Sequence, residues 1–272
     1  MLLVLIGALF HRPLAAATEE DRFTVVTFNL WHDKGNWPKR RTLIVRELQR
    51  LQPDVIALQE VLQDDGLPNQ AATLATALGY RHVFVSVDAP TATRRYGNAL
   101  LTRHPIVAQG SKALKPLDDF RNLAYVRIAL GSSPLDVYAT HLHFTGAGGA
   151  IRREQIADLL GYVRATNHGV PSIVVGDFNA PVDATEFTEL RATYHDAYDG
   201  LHEQAPQDAP AHSTLNPAYL PPLRVDHVLF DPATLTVVSA RRILDVPDAD
   251  GTWASDHFGV FATLRFTAPP TR

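Results

Sequence analysis

The sequence predicts one domain of α/β class, in which strands and helices are mixed and joined by both hairpins and crossovers. Runs rich in β-branched and aromatic residues alternate with stretches whose apolar residues recur at helical spacing. Some neighbouring runs are joined only by turn-forming residues, as at 131–134, whereas others are separated by a predicted helix. The 272 residues are 46% hydrophobic and 20% charged, which is enough apolar sequence for one sizeable core. A mixed, layered fold suits this pattern better than a purely parallel doubly wound sheet.

The predicted elements follow from these runs in chain order. Helices are expected at 39–51, 69–79 and 150–166, where apolar residues mark one face and Pro53 or Gly79 ends the first two. Residues 200–222 are rich in proline, alanine and polar groups and are predicted to be a long surface loop. Strands are expected at 23–31, 54–60, 81–87, 97–102, 105–109, 123–130, 134–141, 172–177, 224–230, 234–243 and 258–266.

Composition excludes several classes of chemistry. The chain has no cysteine, so disulfides, thiolate nucleophiles and thiolate metal sites are all ruled out. The formal net charge of −4 argues against a generic polyanion-binding surface. It does not exclude a nuclease that contacts only a few phosphates.

The N-terminus resembles an export signal. Residues 1–10 are almost wholly apolar and Ala15–Ala17 supplies small residues for cleavage, so 1–17 is predicted to be a signal peptide. The apolar run is too short to span a bilayer comfortably, and no basic residue precedes it. We expect a secreted or periplasmic protein without a transmembrane span. The alternative is a cytoplasmic protein with a hydrophobic N-terminus.

Polar side chains recur where the apolar runs end. An isolated Asp or Asn after a strand is usually a turn or cap residue, so the repetition is what carries weight. If these groups converge, their carboxylates repel one another unless a cation lies among them. Oxygen donors without cysteine favour a hard cation such as Mg²⁺ or Mn²⁺. Histidines and carboxylates around such an ion are the groups that phosphoester hydrolysis requires. The residues concerned are Asn29, Glu60, His141, Asp177, Asn179, Asp226, Asp256 and His257.

Seven short motifs in order give this pattern a family resemblance. The motifs are Thr-Phe-Asn-Leu at 27–30, Leu-Gln-Glu at 58–60, Gly-Asn-Ala-Leu-Leu-Thr-Arg at 97–103, Thr-His-Leu at 140–142, Gly-Asp-Phe-Asn at 176–179, Arg-Val-Asp at 224–226 and Ser-Asp-His at 255–257. Together they resemble the endonuclease/exonuclease/phosphatase superfamily, whose fold is like that of deoxyribonuclease I. The resemblance covers residues 22–267. It implies a four-layer sandwich, in which two mixed sheets pack face to face, are flanked by helices, and carry the site at one edge.

The resemblance also implies a role for each matching residue. Glu60 would be the main metal carboxylate, with Asn29 and Asp256 on the metal side. Asp177 would orient or activate the attacking water, and the identity of the general base stays open. The remaining members are Asn179 as a phosphate contact, His257 as a phosphate contact or acid/base oriented by Asp226, and His141 as a group that stabilises the developing phosphate charge.

Two further residues are expected to bind substrate. Asn98 matches a family position near the phosphate. Arg103 is either a phosphate contact or one half of a strand-end ion pair. Arg152, Arg153 and Gln155, on the helix after the glycine loop, either support the site or belong to a solvated helix face.

The substrate class stays open between branches of the family. The favoured function is a divalent-metal-dependent phosphodiesterase of nuclease type, and Thr-His-Leu-His at 140–143 keeps a sphingomyelinase-like phospholipid phosphodiesterase as the alternative. A third possibility, from a different class, is a catalytically inactive binding protein on the same fold. The expected partner is therefore a phosphoester in a nucleic acid or a phospholipid headgroup. We expect a monomer without a stable protein partner.

Overall fold

The structure is a computed structural model that describes residues 21–202 and 205–267. The predicted signal peptide at 1–17 lies outside the described residues. Within 21–202 and 205–267, no helix combines the length and the apolar character that a membrane crossing would need.

Two six-stranded sheets form the body of the domain. One sheet has the strand order β11-β12-β1-β2-β4-β3 and the other β5-β6-β7-β8-β10-β9. The first runs through β1 (Arg22–Asn29), β2 (Val55–Gln63), β3 (Arg81–Ser86), β4 (Arg95–Thr102), β11 (Leu235–Ile243) and β12 (Gly259–Phe266). The second contains β5 (Ile106–Ala113), β6 (Asn122–Leu130), β7 (Ser133–His141), β8 (Ser172–Asp177), β9 (His195–Asp196) and β10 (Asp226–Phe230).

The helices cover the outer faces of the sheets. They are α1 (Trp37–Leu51), α2 (Gln70–Leu78), α3 (Gly149–Thr166) and the single turn α4 (Thr188–Arg191). Helix α1 begins two residues before the predicted start because the Asn36 side chain accepts a hydrogen bond from the backbone N–H of Lys39 and caps it. Helix α2 lies between Asn69 as N-cap and Gly79 as C-cap, as the sequence predicts.

Three apolar clusters hold the four layers together. One lies between the two sheets and includes Val25, Val126, Val175 and Val260. The second packs α3 and α4 on the second sheet, and the third packs α1 and α2 on the first. The predicted four-layer sandwich is therefore confirmed.

Strand direction brings the polar strand ends together. Each sheet has one parallel pair, β1 with β2 and β7 with β8, each joined by a helical crossover. Carboxyl ends of parallel strands meet at one edge, so His141 and Asp177 end together, and Asn29 at the end of β1 pairs with Gln59, the residue before Glu60.

The 200–222 segment is less exposed to solvent than predicted. Its described residues, 200–202 and 205–222, form no long strand, and Ser213, Thr214 and Asn216 among them are fully buried. Their hydrogen bonds hold the start of β10 and the segment before β12, so this loop is part of the frame around the site.

Candidate active site

Asp177 contacts residues of both sheets. On its own sheet it lies opposite His141 of β7 and Asp226 of β10. From the facing sheet, Asn29 donates its Nδ2–H to Asp177 Oδ2 at 2.9 Å. The backbone N–H of Asn179 donates to the other oxygen, Oδ1, also at 2.9 Å. A single carboxylate therefore ties the two layers together at the strand-end edge.

Asp177 is only 1% exposed, and its burial dominates its electrostatics. Burial raises its pKa, and the neighbouring charge of Asp226 raises it further, against the opposing effect of His257. The Nε2 atoms of His141 and His257 lie 3.4 Å and 3.8 Å from Asp177 Oδ2. This arrangement suits a carboxylate that binds and deprotonates water.

A glycine is required directly before Asp177. Gly176 has a φ of 146°, and a Cβ there would lie 2.0 Å from the carbonyl oxygen of Thr140 on the parallel strand. Only glycine lets β8 approach β7 this closely. The Gly-Asp order of the motif thus has a steric cause.

His257 and Asp226 form a buried pair. His257 Nδ1 lies 2.9 Å from Asp226 Oδ2. Burial lowers the pKa of His257, but the charges of Asp226 and Asp177 outweigh it and raise the pKa to about 10. His257 is therefore an imidazolium at neutral pH, oriented by Asp226 as the family resemblance implied.

His141 has the opposite electrostatic setting. Burial, then the positive charges of Arg121 and His257, lower its pKa well below the ordinary value. It is a neutral imidazole at physiological pH, able to donate one hydrogen bond without carrying charge.

Glu60 reaches the site through a distortion of β2. The pairing of β2 with β4 shifts register between Leu58 and Val61, and Glu60 takes a positive φ of 56°. Such a bulge re-aims a side chain at the edge of a sheet, and a positive φ on a residue with a Cβ carries strain. Tyr96 lines the same cleft as Glu60, and burial followed by the negative charge of Glu60 raises the pKa of Tyr96.

Asp256 faces Glu60 across the edge. Burial raises the pKa of Asp256, and the negative charge of Glu60 adds to the increase, while His257 opposes it. Ser255 Oγ lies 3.2 Å from Asp256 Oδ1 and also donates to the carbonyl of Asn29 at 2.8 Å. Two mutually repelling carboxylates at one edge are a suitable place for a hard cation.

A second cluster of possible ligands is less suitable. Asp177, Asp226 and His257 place ligand-type atoms within 4.8 Å of one another. His257, however, already faces Asp226 and Asp177 with its two ring nitrogens. Glu60 and Asp256 fit the implied ion better.

Asn29 lies in the site with a different arrangement from the one predicted. Its Oδ1 accepts the backbone N–H of Trp31 at 2.9 Å, which fixes Nδ2 toward Asp177. The contacts of Asn29 thus orient the water-binding carboxylate. The predicted metal role of Asn29 stays a prediction.

Asn179 and Asn98 are both held by hydrogen bonds within the protein, and their predicted phosphate contacts stay predictions. Asn179 has a φ of 53°, a conformation that asparagine tolerates, and its Nδ2 donates to the carbonyl of Leu142 at 3.1 Å. Asn98 is buried and donates to Asn122 on the facing sheet, at 2.9 Å to Oδ1 and 3.1 Å to the carbonyl oxygen. It bridges the sheets beside the site.

Arg103 does not lie at the site. It donates to Asp54 Oδ1 from Nε at 2.9 Å and from Nη2 at 2.6 Å, at the start of β2. Glu60 is six residues further along that strand, roughly 20 Å away. The substrate-binding prediction for Arg103 is corrected accordingly, and the alternative of a strand-end ion pair is what the structure shows.

Some supporting residues carry no motif signal and were missed. Arg40 is buried and donates to the carbonyls of Leu30 at 2.7 Å and Ala254 at 2.9 Å, so it clamps the segments that follow Asn29 and precede Asp256. Thr214 Oγ1 accepts the backbone N–H groups of Val225 and Asp226. Arg121, which directly precedes β6, places its charge toward His141.

Glu60 forms one wall of an open cleft of about 470 Å³, whose other lining residues include His32, Arg94, Tyr96 and Phe120. A larger cavity of about 590 Å³ lies around Tyr194 and Asp199 and contains none of the predicted site residues. The predicted site residues and this 590 Å³ cavity are therefore separate.

Comparison with known proteins agrees with this geometry. Residues 26–257 match the endonuclease/exonuclease/phosphatase family. The chain belongs to this family. Members of the family are hydrolases that act on phosphoester bonds.

Individual relatives are more distant. The chain is 26% identical to Protein angel of Drosophila melanogaster over 167 residues, which are 57% of this chain and 47% of that protein. It spans about half the length of the curated relatives it matches. The human Nocturnin catalytic domain with bound sulfate superposes with a TM-score of 0.75 at 22% identity, covering 93% of this chain and 96% of that one. TDP2 of D. rerio, complexed with single strand DNA product, gives a TM-score of 0.74 at 17% identity, covering 90% and 99%. At these identities the structural likeness establishes the fold.

Proposed function

We propose that this family member is a divalent-metal-dependent phosphodiesterase of nuclease type, which hydrolyses its substrate by attack of water on phosphorus. The observation that carries the proposal is the setting of Asp177. It is a buried carboxylate with a raised pKa, placed between a protonated and a neutral histidine and beside two repelling carboxylates.

The side chains divide the work by their charge. Asp177 holds the attacking water and accepts its proton, aided by the hydrogen bonds that orient it from Asn29 and Asn179. His257, protonated and aligned by Asp226, donates to a phosphate oxygen as negative charge develops there. His141, on the other side of Asp177, donates a hydrogen bond to the phosphate from its uncharged ring.

Glu60 and Asp256 would hold the cation. Mg²⁺ or Mn²⁺ bound there would polarise a phosphoryl oxygen and neutralise developing charge. The ion would also relieve the repulsion between Glu60 and Asp256 that raises the pKa of Asp256.

The nuclease branch is preferred to the phospholipid branch. A structural neighbour is complexed with single strand DNA product, which supports a nucleic-acid substrate. The Thr-His-Leu-His motif keeps sphingomyelin as the second candidate.

The proposal is tested by hydrolysis of bis(p-nitrophenyl) phosphate with Mg²⁺, Mn²⁺ or EDTA, followed by plasmid DNA, single-stranded RNA, sphingomyelin vesicles and a phosphomonoester. We expect metal-dependent turnover and cleavage of nucleic acid. Absence of turnover with any divalent ion, together with absence of metal-induced stabilisation, would return the chain to the inactive binding class.

Export is proposed separately on the residues of 1–17. Expression of the full chain with N-terminal sequencing of the mature protein tests it. A protein that keeps Met1 and stays in the cytoplasm would contradict it.

A further inference from the structure

Two phenylalanines beside the site are exposed to solvent. Phe120 and Phe144 are 69% and 66% exposed, in the loops that precede β6 and follow β7. Phe120 lines the same cleft as Glu60. Large apolar rings in water near a hydrolytic centre call for a binding role more than a packing one.

A partly buried network holds these two loops together. Asp119 Oδ1 lies 2.8 Å from His143 Nδ1, and Asp119 Oδ2 accepts from Gln155 Nε2 at 2.7 Å. Gln155 Oε1 in turn accepts the backbone N–H of His143 at 2.9 Å. Asp119 and His143, which directly precede Phe120 and Phe144, are thereby hydrogen-bonded to Gln155 of α3.

A buried ion pair completes the support under Phe144. Arg152, paired with Glu186, donates to the carbonyls of His143 at 3.1 Å and Thr145 at 2.7 Å, on either side of Phe144. The alternative of a solvated helix face is therefore wrong for Arg152 and Gln155, which are both buried. Hydrogen bonds therefore fix the backbone on both sides of Phe144, while its ring is exposed to solvent.

Arg121 places a cation beside Phe144. The Arg121 guanidinium lies 5.9 Å from the centre of the Phe144 ring. Its Nε lies 3.8 Å from Asp119 Oδ2, and its positive charge acts on His141 and Tyr96, so Arg121 lies near the site. Phe120, Arg121 and Phe144 are here called the aromatic rim.

We propose that the aromatic rim binds the nucleotide next to the scissile phosphate, with an unpaired base stacked on Phe120 or Phe144 and a phosphate oxygen on Arg121. The inference rests on the proposed function and deepens it to single-stranded substrates. Base–aromatic stacking needs an exposed base face, which a paired and stacked duplex does not offer. The net charge of −4 is consistent with a local phosphate contact, in contrast to a long basic groove for duplex DNA.

Charge argues against a lipid surface as the occupant. Asp118 and Asp119 stand in the same loop as Phe120, and Asp118 is exposed. Membrane-inserting segments combine apolar residues with basic ones, whereas the exposed carboxylate of Asp118 would have to approach the headgroups.

The experiment uses a dinucleotide with one phosphodiester bond, and its two analogues in which either base is removed. Stacking of one base is worth about 1–3 kcal/mol, so Phe120→Ala or Phe144→Ala is expected to lower kcat/KM on the dinucleotide by roughly fivefold to hundredfold. The loss on one abasic analogue is expected to be several-fold smaller, and Phe→Tyr is expected to restore most of the rate. Val246→Ala, which removes a side chain 74% exposed outside the rim, is the matched control.

A binding measurement in EDTA gives a readout independent of turnover. A dinucleotide with a fluorescent adenine analogue is expected to be quenched on binding by the wild-type chain and less so by the phenylalanine variants. Equal losses on the abasic and complete dinucleotides, or no loss, would overturn the inference. The inference would also be overturned if the cleavage of sphingomyelin vesicles, and not of the dinucleotide, depended on Phe120 and Phe144. Absence of wild-type turnover of bis(p-nitrophenyl) phosphate would instead refute the proposed function itself.

Discussion

Replacement of Asp177 by asparagine should separate catalysis from stability. Burial and the charge of Asp226 raise the pKa of Asp177 to about 7, against 3.8 ordinarily. Each pKa unit corresponds to about 1.4 kcal/mol, so the ionised carboxylate destabilises the metal-free fold by at most about 4 kcal/mol. Because the folded-state pKa is the higher one, this cost is absent below about pH 4, grows up to about pH 7 and is constant above.

Asparagine also loses a contact. It can accept from Asn29 or from the backbone of Asn179, but not from both through its single oxygen. A hydrogen bond to a charged group contributes about 1.5–3 kcal/mol. We therefore expect Asp177→Asn to be about 1–2 kcal/mol more stable than wild type at pH 7 in EDTA, and less stable at about pH 4. Its turnover should fall by roughly 10²–10⁴.

The assay is urea unfolding in EDTA from pH 4 to pH 8, with hydrolysis of bis(p-nitrophenyl) phosphate in parallel. Asp136→Asn is the matched control, because Asp136 is equally buried on β7 but is paired with Arg127 at 2.7 Å. Removing that paired carboxylate should cost about 3–5 kcal/mol. An Asp177→Asn variant that is destabilised at pH 7, or that keeps its rate, would refute the assignment of Asp177.

Three further predictions concern the cation and the strand-end ion pair. Mn²⁺ at a hundred times its Kd is expected to stabilise the wild-type fold by about 2.7 kcal/mol, and Glu60→Gln should abolish this stabilisation. The control Glu154→Gln, at an exposed position, should keep it. Equal metal-induced shifts of the melting temperature in both variants would contradict the metal site. Burial raises the pKa of Asp54, but hydrogen bonds from His104 and Arg103 outweigh this and hold it at about 2. This lowered folded-state pKa stabilises the fold above about pH 4, so wild type should lose about 1–2 kcal/mol between pH 5 and pH 2 that Asp54→Asn does not lose, measured by urea unfolding; parallel pH curves would disprove it. Arg103→Ala should lower the urea midpoint and leave kcat/KM unchanged, and a selective loss of kcat/KM would restore its role in substrate binding.

The sequence predicted the parts of the site that local patterns encode. The run before Asp177 is apolar on both faces and ends in a required glycine, so both a buried strand and its polar end can be predicted. The parallel pairing of β7 with β8 then places His141 beside it. Strand, crossover helix and strand are all visible as periodicities in the chain.

The remaining features depend on contacts that no local pattern encodes. The bulge that turns Glu60 toward the edge follows from a register shift with β4. Thr214 looks like an ordinary loop residue, yet it is buried because the backbone of Asp226 needs an acceptor. Arg103 ends its strand like a functional residue, and only the position of Asp54 shows that it is paired elsewhere.

The bond between Asn29 and Asp177 also constrains when the site can form. Its partners are 148 residues apart, and the bond from Ser255 to the Asn29 carbonyl spans 226 residues. The first strand also pairs with the last, β12, so it has no complete set of neighbours until almost the whole domain has left the ribosome. A partially synthesised chain that lacks only β12 therefore has every catalytic residue in sequence before it has a site in space. Hydrolysis should accordingly begin only when β12 has paired with β1, so the appearance of activity during synthesis would report this late folding step.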